Sequence, residues 1–369
     1  MARGTQYQRE KREFQDPETK GQVVQLTNWL GHSNQLYFTT TSFLPGGREV
    51  VFASDRDNRH NLFKVDIVSG EIVRLTEAAE HIRGQAACTS PVRPEVYFFE
   101  GMDLKVVDTN SLEERTIYRC PEDRRPSILT PSCDGRLLAF AEMTDIGWAT
   151  GAQYQGFAEM WKASPPTTIR VVEIASGKNW AAYEDPKWCS HVNFSSTHPD
   201  LIVYCHEGPW QLVQQRMWMV TADGSKHYAL RPQDEDDAVG HEYWLSNGDY
   251  VAFHNWRAGK TEHYVGWIRY DNTDHVELPF SGGSWHYQSN SDNSVQVGDG
   301  HADNPYIILW RIQEGIGKAR NLVRHESSLH IQRAHPHPIF SPDDQWVLYT
   351  SDASGYCNVY LARVEGGES

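Results

Sequence analysis

Two segments at opposite ends of the chain carry one pattern. SDRDNRHNLFKVDIVSGEIVRLT runs from Ser54 to Thr76, and SDASGYCNVYLARVEGGE runs from Ser351 to Glu368. Each opens on Ser-Asp, passes through a polar hairpin, and places an asparagine seven positions after the serine (Asn61, Asn358). Each then continues as an alternating apolar strand, and a further strand, EVVFA or WVLYT, comes before it. Alternation at period two marks a strand with one buried face. Strand, turn, strand, polar hairpin, strand, then a glycine turn to a last strand is the four-stranded blade of a β-propeller. An all-β chain built from repeats is the expectation.

Counting on this frame predicts seven blades. They begin near Leu36, Gly84, Ile128, His191, His241, His286 and His337, and the spacing fits the roughly 40–50 residues of a propeller repeat. The third blade carries an insertion over 144–166. The seventh has three strands before the chain reaches Ser369, and the fourth is found at the other end. GQVVQLT (Gly21 to Thr27) matches GEIVRLT (Gly70 to Thr76), the last strand of the first blade. An N-terminal strand completing the C-terminal blade closes the ring and removes its free edges. With no Pro/Gly/Ser-rich linker, one domain over 1–369 is predicted, with residues 1–20 as an N-terminal arm.

The formal net charge is −15, which argues against a nucleic-acid partner, since phosphate binding needs a basic surface. The six cysteines are scattered, without a C-x-x-C pair, and several sit in apolar strand-like runs. This suits a reduced, cytoplasmic setting. The N-terminus, MARGTQYQREKREFQDPET, lacks the apolar stretch of a signal peptide, and no run is long enough to span a bilayer. No membrane partner is expected, and oligomeric state is left open.

Histidines recur in the repeat frame. HVNFSS, HEYWLS, HYQSNS and HPIFSP place His191, His241, His286 and His337 at the opening of the first strand of successive blades. First strands line a propeller's central channel, so four imidazoles from adjacent blades would converge at one mouth of it. Around His337 the run QRAHPHP adds Gln332 and His335. Residues two apart on a strand share a face, so His335 and His337 can aim at one point. Nitrogen and oxygen donors of this kind suit a borderline divalent ion such as manganese, zinc, iron or nickel. A set of structural hydrogen-bonding histidines is the competing interpretation. Other chemistries lack their motifs: there is no G-x-S-x-G elbow and no phosphate-binding glycine-rich loop. The acidic run from Asp234 to Asp237 reads as a solvated loop.

Several of these stretches carry a family resemblance. QYQREKREFQDPETKGQVVQLT, GHSNQLYFT, FASDRDNRHNLFKVD, CHEGPWQLVQQRMW, VGHEYW and QRAHPHPIFSPD together resemble the oligogalacturonate lyases, across essentially the whole chain. The resemblance implies a seven-bladed propeller that cleaves short oligogalacturonides, digalacturonate and its unsaturated form among them. The reaction is β-elimination to keto-deoxy-uronate monomers in pectin catabolism. It further implies Mn²⁺ ligation by His286, Gln332, His335 and His337, a catalytic base at His241 and an assisting arginine at Arg216. Substrate binding is expected of His191, His206 and Arg231, while His32 and His81 are left without a role.

The chemistry is consistent with that assignment. The proton on C5 of a galacturonate is poorly acidic because the adjacent carboxylate is already negative. A metal on that carboxylate neutralises it and stabilises the developing enolate-like charge. A neutral histidine, with an ordinary pKa of about 6.5, is suited to take the proton near neutrality. Two alternatives stand beside this: a non-enzymatic TolB-like propeller that binds a protein or peptide, and a metal-dependent hydrolase or isomerase. A hydrolase would want a carboxylate pair, for which Glu242 and Asp299 are available. Arg216 has its own alternative, a surface arginine beside Trp218.

Overall fold

The computed structural model describes residues 2–151, 154–235, 237–257 and 263–364. Asp236, inside the acidic run, and residues 152–153, inside the predicted insertion, lie outside the described residues. The protein is all-β, 46% strand against 6% helix. Its sheets follow one another in chain order. The first joins Ser33–Gln35, Glu49–Ser54, Asn61–Asp66 and Ile72–Arg74, and the fourth joins Cys189–Phe194, Leu201–His206, Met217–Thr221 and His227–Ala229. Buried apolar residues on successive strands fill the space between one sheet and the next. Leu62 and Val51 of the first sheet meet Val96 and Phe98 of the second, and Val203 of the fourth meets Val251 and Phe253 of the following one.

The echo between the two ends has a structural cause. Thr76 Oγ1 donates to Asn61 Oδ1 at 2.9 Å, and Thr27 Oγ1 donates to Asn358 Oδ1 at 2.9 Å. Each threonine oxygen in turn accepts the backbone N–H that follows the asparagine, from Leu62 at 2.9 Å and Val359 at 3.0 Å. One threonine–asparagine clasp therefore fastens the last strand of each sheet to its neighbour. In the second copy the two halves come from opposite ends of the chain. Val23, Val24 and Gln25 pair antiparallel with Ala362, Leu361 and Tyr360, the pairing that the GQVVQLT repeat predicts.

The predicted N-terminal arm over 1–20 carries two short strands that join the sheets. Gln6–Tyr7 pairs with Ile72–Arg74 and extends the first sheet. Arg12–Gln15 pairs with Gln22–Gln25 as a fifth, outermost strand of the last sheet. Arg56 anchors this stretch, with Nη1 donating to Glu10 Oε1 at 3.0 Å. The predicted insertion over 144–166 includes a short helix, Phe157–Ala163.

Hydrogen bonding also divides the described strands into six sheets where seven blades were counted. The reason is one contact. The antiparallel runs from Asp237–Trp244 to Val276–Phe280 and from Tyr287–Ser289 to Ile316–Arg324 merge through a parallel pairing of Phe280 with Gly317. A Cβ on Gly317 would lie 2.6 Å from the Phe280 ring, so only glycine lets the two outer edges touch.

Deleting Met1 to Thr27 is expected to unfold or aggregate the protein. Val23, Val24 and Leu26 are all buried, and each such side chain contributes about 1.5–3 kcal/mol. Their joint loss approaches the ~5–15 kcal/mol net stability of a whole domain, and it bares the edge of Asn358–Arg363. Size-exclusion chromatography with a thermal melt is the check. A soluble deletion protein with unchanged melting temperature would refute the strand exchange.

Candidate metal centre and active site

Three of the four in-frame histidines are presented by unusual backbone. His191, His241 and His337 have φ of 47°, 51° and 46°, left-handed values that are rare for residues with a Cβ. For His191 and His241 the cause is a bulge. Pairing slips between Ser190 and Asn193 and again between Gly240 and Tyr243, so each histidine is the extra residue of its strand. Bulges re-aim side chains near sites of function. These two histidines therefore sit inside Cys189–Phe194 and Asp237–Trp244, not at the strand openings the sequence predicts. His286 and His337 do precede their strands, Tyr287–Ser289 and Ile339–Phe340.

His286, His335 and His337 converge. One ligand atom from each lies within 4.8 Å of the other two, and all three residues are buried. The His286 and His337 rings are 4.3 Å apart between centroids. Gln332 joins them from the turn Gln332–Ala334, its side-chain amide nitrogen 3.3 Å from His337 Nε2. A half-turn of that amide presents its oxygen instead. Asp299 fixes the orientation of His286: Oδ2 lies 2.6 Å from His286 Nδ1, while Oδ1 accepts the His286 backbone N–H at 3.0 Å. A carboxylate holding Nδ1–H leaves Nε2 free to ligate, the arrangement common behind metal-bound histidines.

Electrostatics favour a cation here. Burial, then the charge of His286, lowers the pKa of His335 to about 4, and the same causes hold His337 well below its ordinary value. The imidazoles are therefore neutral near pH 7, with lone pairs available. His335 Nδ1 is buried with no hydrogen-bond partner, a cost that a metal ion would relieve. Two other groups among the described residues bring possible ligand atoms together, Asp185–Cys189–His206 and His191–Cys205–Glu242. Burial raises both thiols well above their ordinary pKa, which disfavours the thiolate that a metal needs.

His241 stands beside this cluster, its ring centroid 4.4 Å from that of His286. Burial is the main cause, and His286 the next, of a pKa well below the usual value. Its Nδ1 has no hydrogen-bond partner. Trp210, from the CHEGPW stretch, packs edge-on at 5.3 Å between centroids, and Phe38 does so at 5.8 Å. His191 stacks on His241 at 6.0 Å and its Nε2 lies 3.3 Å from the Tyr37 hydroxyl.

The arginines and His206 fall differently from the sequence expectation. Arg216 is neither a surface residue nor a free cation. It is 1% exposed, with Nε donating to Glu242 Oε2 at 2.8 Å and Nη1 to Glu207 Oε1 at 3.0 Å. Glu242 Oε1 lies 3.3 Å from His191 Nδ1, so Arg216 reaches the histidines only through a carboxylate. His206 is turned to Asp185, whose Oδ2 is 2.9 Å from its Nε2, and packs on Trp218. Arg231 is buried against Asp237 at 2.9 Å, beside Glu277 and over the Phe253 ring. No contact brings either residue to the histidine cluster among the described residues. His32 accepts the Cys357 backbone N–H on Nδ1 at 3.2 Å.

Sequence reasoning missed Glu207 and Tyr37 as neighbours of the site, although they lie in the quoted stretches CHEGPW and GHSNQLYFT. Asp299 was weighed only as a carboxylate for hydrolysis, and no local spacing ties it to His286. The two carboxylates weighed for hydrolysis, Glu242 and Asp299, are each committed to a different partner, so they form no acid–base pair.

Comparison with known proteins agrees with this geometry. Residues 1–367 match the family described as oligogalacturonate lyase. The oligogalacturonate lyase of Dickeya dadantii is 26% identical over 391 residues, covering 99% of this chain and 98% of that protein. The oligogalacturonide lyase of Pectobacterium atrosepticum is 26% identical over 388 residues, with the same coverage. A solved oligogalacturonate lyase in complex with manganese superposes with a TM-score of 0.91 at 25% identity, covering 99% of both chains. The oligogalacturonate lyase of Vibrio parahaemolyticus gives 0.91 at 26% identity, again over 99% of both. Matched end to end by the family's pattern and by its structures, the chain belongs to the oligogalacturonate lyase family.

Proposed function

We propose that this protein is a manganese-dependent oligogalacturonate lyase. It cleaves digalacturonate, unsaturated digalacturonate and similar short oligogalacturonides by β-elimination to keto-deoxy-uronate monomers. The observation that carries the proposal is the buried, converging set of imidazoles at His286, His335 and His337 in a chain matching the family over residues 1–367. A manganese complex among the matching structures supports Mn²⁺ as the ion. The scaffold is read as a seven-bladed β-propeller, because the eight-stranded sheet divides into two antiparallel four-stranded halves. Six free cysteines support a reducing, cytoplasmic location.

His286, Gln332, His335 and His337 would hold the metal, with Asp299 fixing the ring of His286. When bound, a divalent ion would supply positive charge to the uronate carboxylate and so make the C5 proton easier to remove. His241, neutral by burial, takes that proton onto a ring nitrogen. The C5–H electron pair becomes the C4–C5 double bond as the C4–O bond breaks, and the departing oxygen is protonated from solvent. His191 faces the substrate from the adjoining cavity, which it helps to line. Arg216 is a positioning residue: both of its bonded edges are taken by Glu207 and Glu242, and it acts by holding Glu242 against His191. His206 and Arg231 are given no substrate contact.

The test uses the product's chemistry. Elimination makes a conjugated double bond that absorbs ultraviolet light, and hydrolysis does not. Digalacturonate with Mn²⁺ should give a rise in absorbance and a keto-acid product. A chelator should abolish both, and added Mn²⁺ should restore them. A protein-binding propeller would leave the sugar unchanged. Reducing ends appearing without ultraviolet absorbance or keto acid would replace the lyase with a hydrolase.

A further inference from the structure

A cavity of about 830 Å³ opens beside the histidines and shares His191 and Gln332 with them. The volume falls within the ~300–1,000 Å³ typical of small-molecule sites. One wall is the turn Gly84–Ala86, which is docked on the segment bearing the metal site. Gln85 Nε2 donates to the Gln332 backbone carbonyl at 3.3 Å. Gly84 lets the turn sit against the first sheet, since a Cβ there would lie 2.1 Å from Ala53 Cβ.

Arg83 immediately precedes this turn and lines the cavity. Its Nη1 donates to the Pro126 carbonyl at 3.1 Å, which anchors one arm of the guanidinium. Among the described residues no ion pair occupies the rest. The other arginines nearby are spent: Arg333 pairs with Asp55 at 3.3 Å, Arg216 with Glu207 and Glu242, and Arg125 with Asp145 at 2.9 Å. Partial burial, then repulsion from Arg125, pushes the Arg83 pKa down, as expected for a cation lacking its counter-ion. A second cavity, about 740 Å³, also borders Gln332 and is lined by Tyr154, Phe157 and Trp285, with no arginine or lysine among the described residues. An anionic group next to the metal-bound one therefore finds its cation on the Arg83 side.

We infer that Arg83 binds the carboxylate of the second galacturonate, so that the larger cavity is a uronate subsite. This rests on the lyase reading above and deepens it. The guanidinium fork matches a carboxylate in geometry as well as charge. His60 and His81, perpendicular with centroids 5.2 Å apart, line the same cavity and present further ring nitrogens to the sugar. Ile82 and Ile128 supply apolar surface for the face of the ring. In a chain of net charge −15, one such uncommitted cation gives an anionic sugar a local reason to bind.

The test is steady-state kinetics with Mn²⁺ on two substrates. One is digalacturonate, and the other is the same dimer methyl-esterified only on the sugar whose C5 proton is not removed. For the wild type, esterification should raise KM by roughly tenfold or more, the loss expected for a charge-assisted contact. Arg83→Met should raise KM on the free acid by a similar factor with kcat little changed, and should no longer distinguish the two dimers. Arg83→Lys should recover part of the preference. An Arg83→Met enzyme that keeps the wild-type preference for the free acid would overturn the subsite. So would a wild type indifferent to esterification. A wild type that forms no unsaturated product from either dimer would instead remove the lyase reading itself.

Discussion

Replacing His335 and His337 together is expected to strip the protein of its metal and its activity while the fold survives. Two of the four proposed ligands go, so the loss of affinity should exceed the roughly 10–100-fold that a change behind the ligands costs. Survival of the fold follows from position. Both residues precede the short strand Ile339–Phe340 and lie outside the pairing of Trp346–Ser351 with Asn358–Arg363 that holds the last sheet together. His337 needs more care, because its φ of 46° strains any residue with a Cβ. Asparagine tolerates that region better than alanine, so His335→Ala with His337→Asn is the cleaner pair. Metal content after dialysis, read by elemental analysis beside a circular-dichroism melt, is the measurement. Stoichiometric manganese retained by a folded double variant would place the metal elsewhere. Asp299→Asn should fall between this pair and the wild type, since it loosens His286 without removing a ligand.

What could be read from the sequence divides along physical lines. Local periodicity and repetition carried the strands, the end-to-end pairing and the histidine frame. Each depends on a spacing that recurs, and the Asn61–Thr76 and Asn358–Thr27 clasps show what preserves it. The outer additions Gln6–Tyr7 and Arg12–Gln15 did not show, because short exposed edge strands bury too little to leave an alternating pattern. The fusion of two units through Phe280 and Gly317 was equally hidden, being a single contact between residues distant in the chain. In the site, His286 and His337 were legible as candidates because each has a fixed place in the repeat, and His335 because it stands two residues before His337. Their second layer was not: Asp299 reaches His286 from beyond the next strand, and no spacing rule links the two. The partners of the basic side chains were hidden as well. Arg216, Arg231 and His206 have side chains that suit an anionic sugar, and each lies against carboxylates: Glu207 and Glu242, Asp237 and Glu277, and Asp185. A sequence displays the cation and conceals the carboxylate folded against it.

His241→Ala is expected to separate the base from the ligands: metal content should stay at the wild-type level while kcat falls by about 10²–10⁴-fold, the usual worth of general-base catalysis. The separation is possible because His241 touches His286 ring to ring, at 4.4 Å between centroids, yet is absent from the converging ligand group. Its chemistry is set by surroundings. Burial, then the neighbouring imidazoles His286, His254 and His191, keeps the ring neutral well below its ordinary pKa. A base must be deprotonated to act, so the wild-type rate should stay level through neutral pH and fall only toward acid, as the ring finally takes a proton from solvent. In the alanine variant that acid limb should change or vanish along with the rate. Arg216→Ala makes the contrast. It leaves Glu242 and Glu207 buried without their cation, so the melting temperature should drop further than in His241→Ala, which removes a ring whose Nδ1 has no hydrogen-bond partner. Metal analysis, a pH–rate profile and a thermal melt on the two variants distinguish these roles. A His241→Ala enzyme within a few-fold of the wild-type kcat would assign the proton to another group, with His191, already stacked on His241 and lining the large cavity, the next residue to replace.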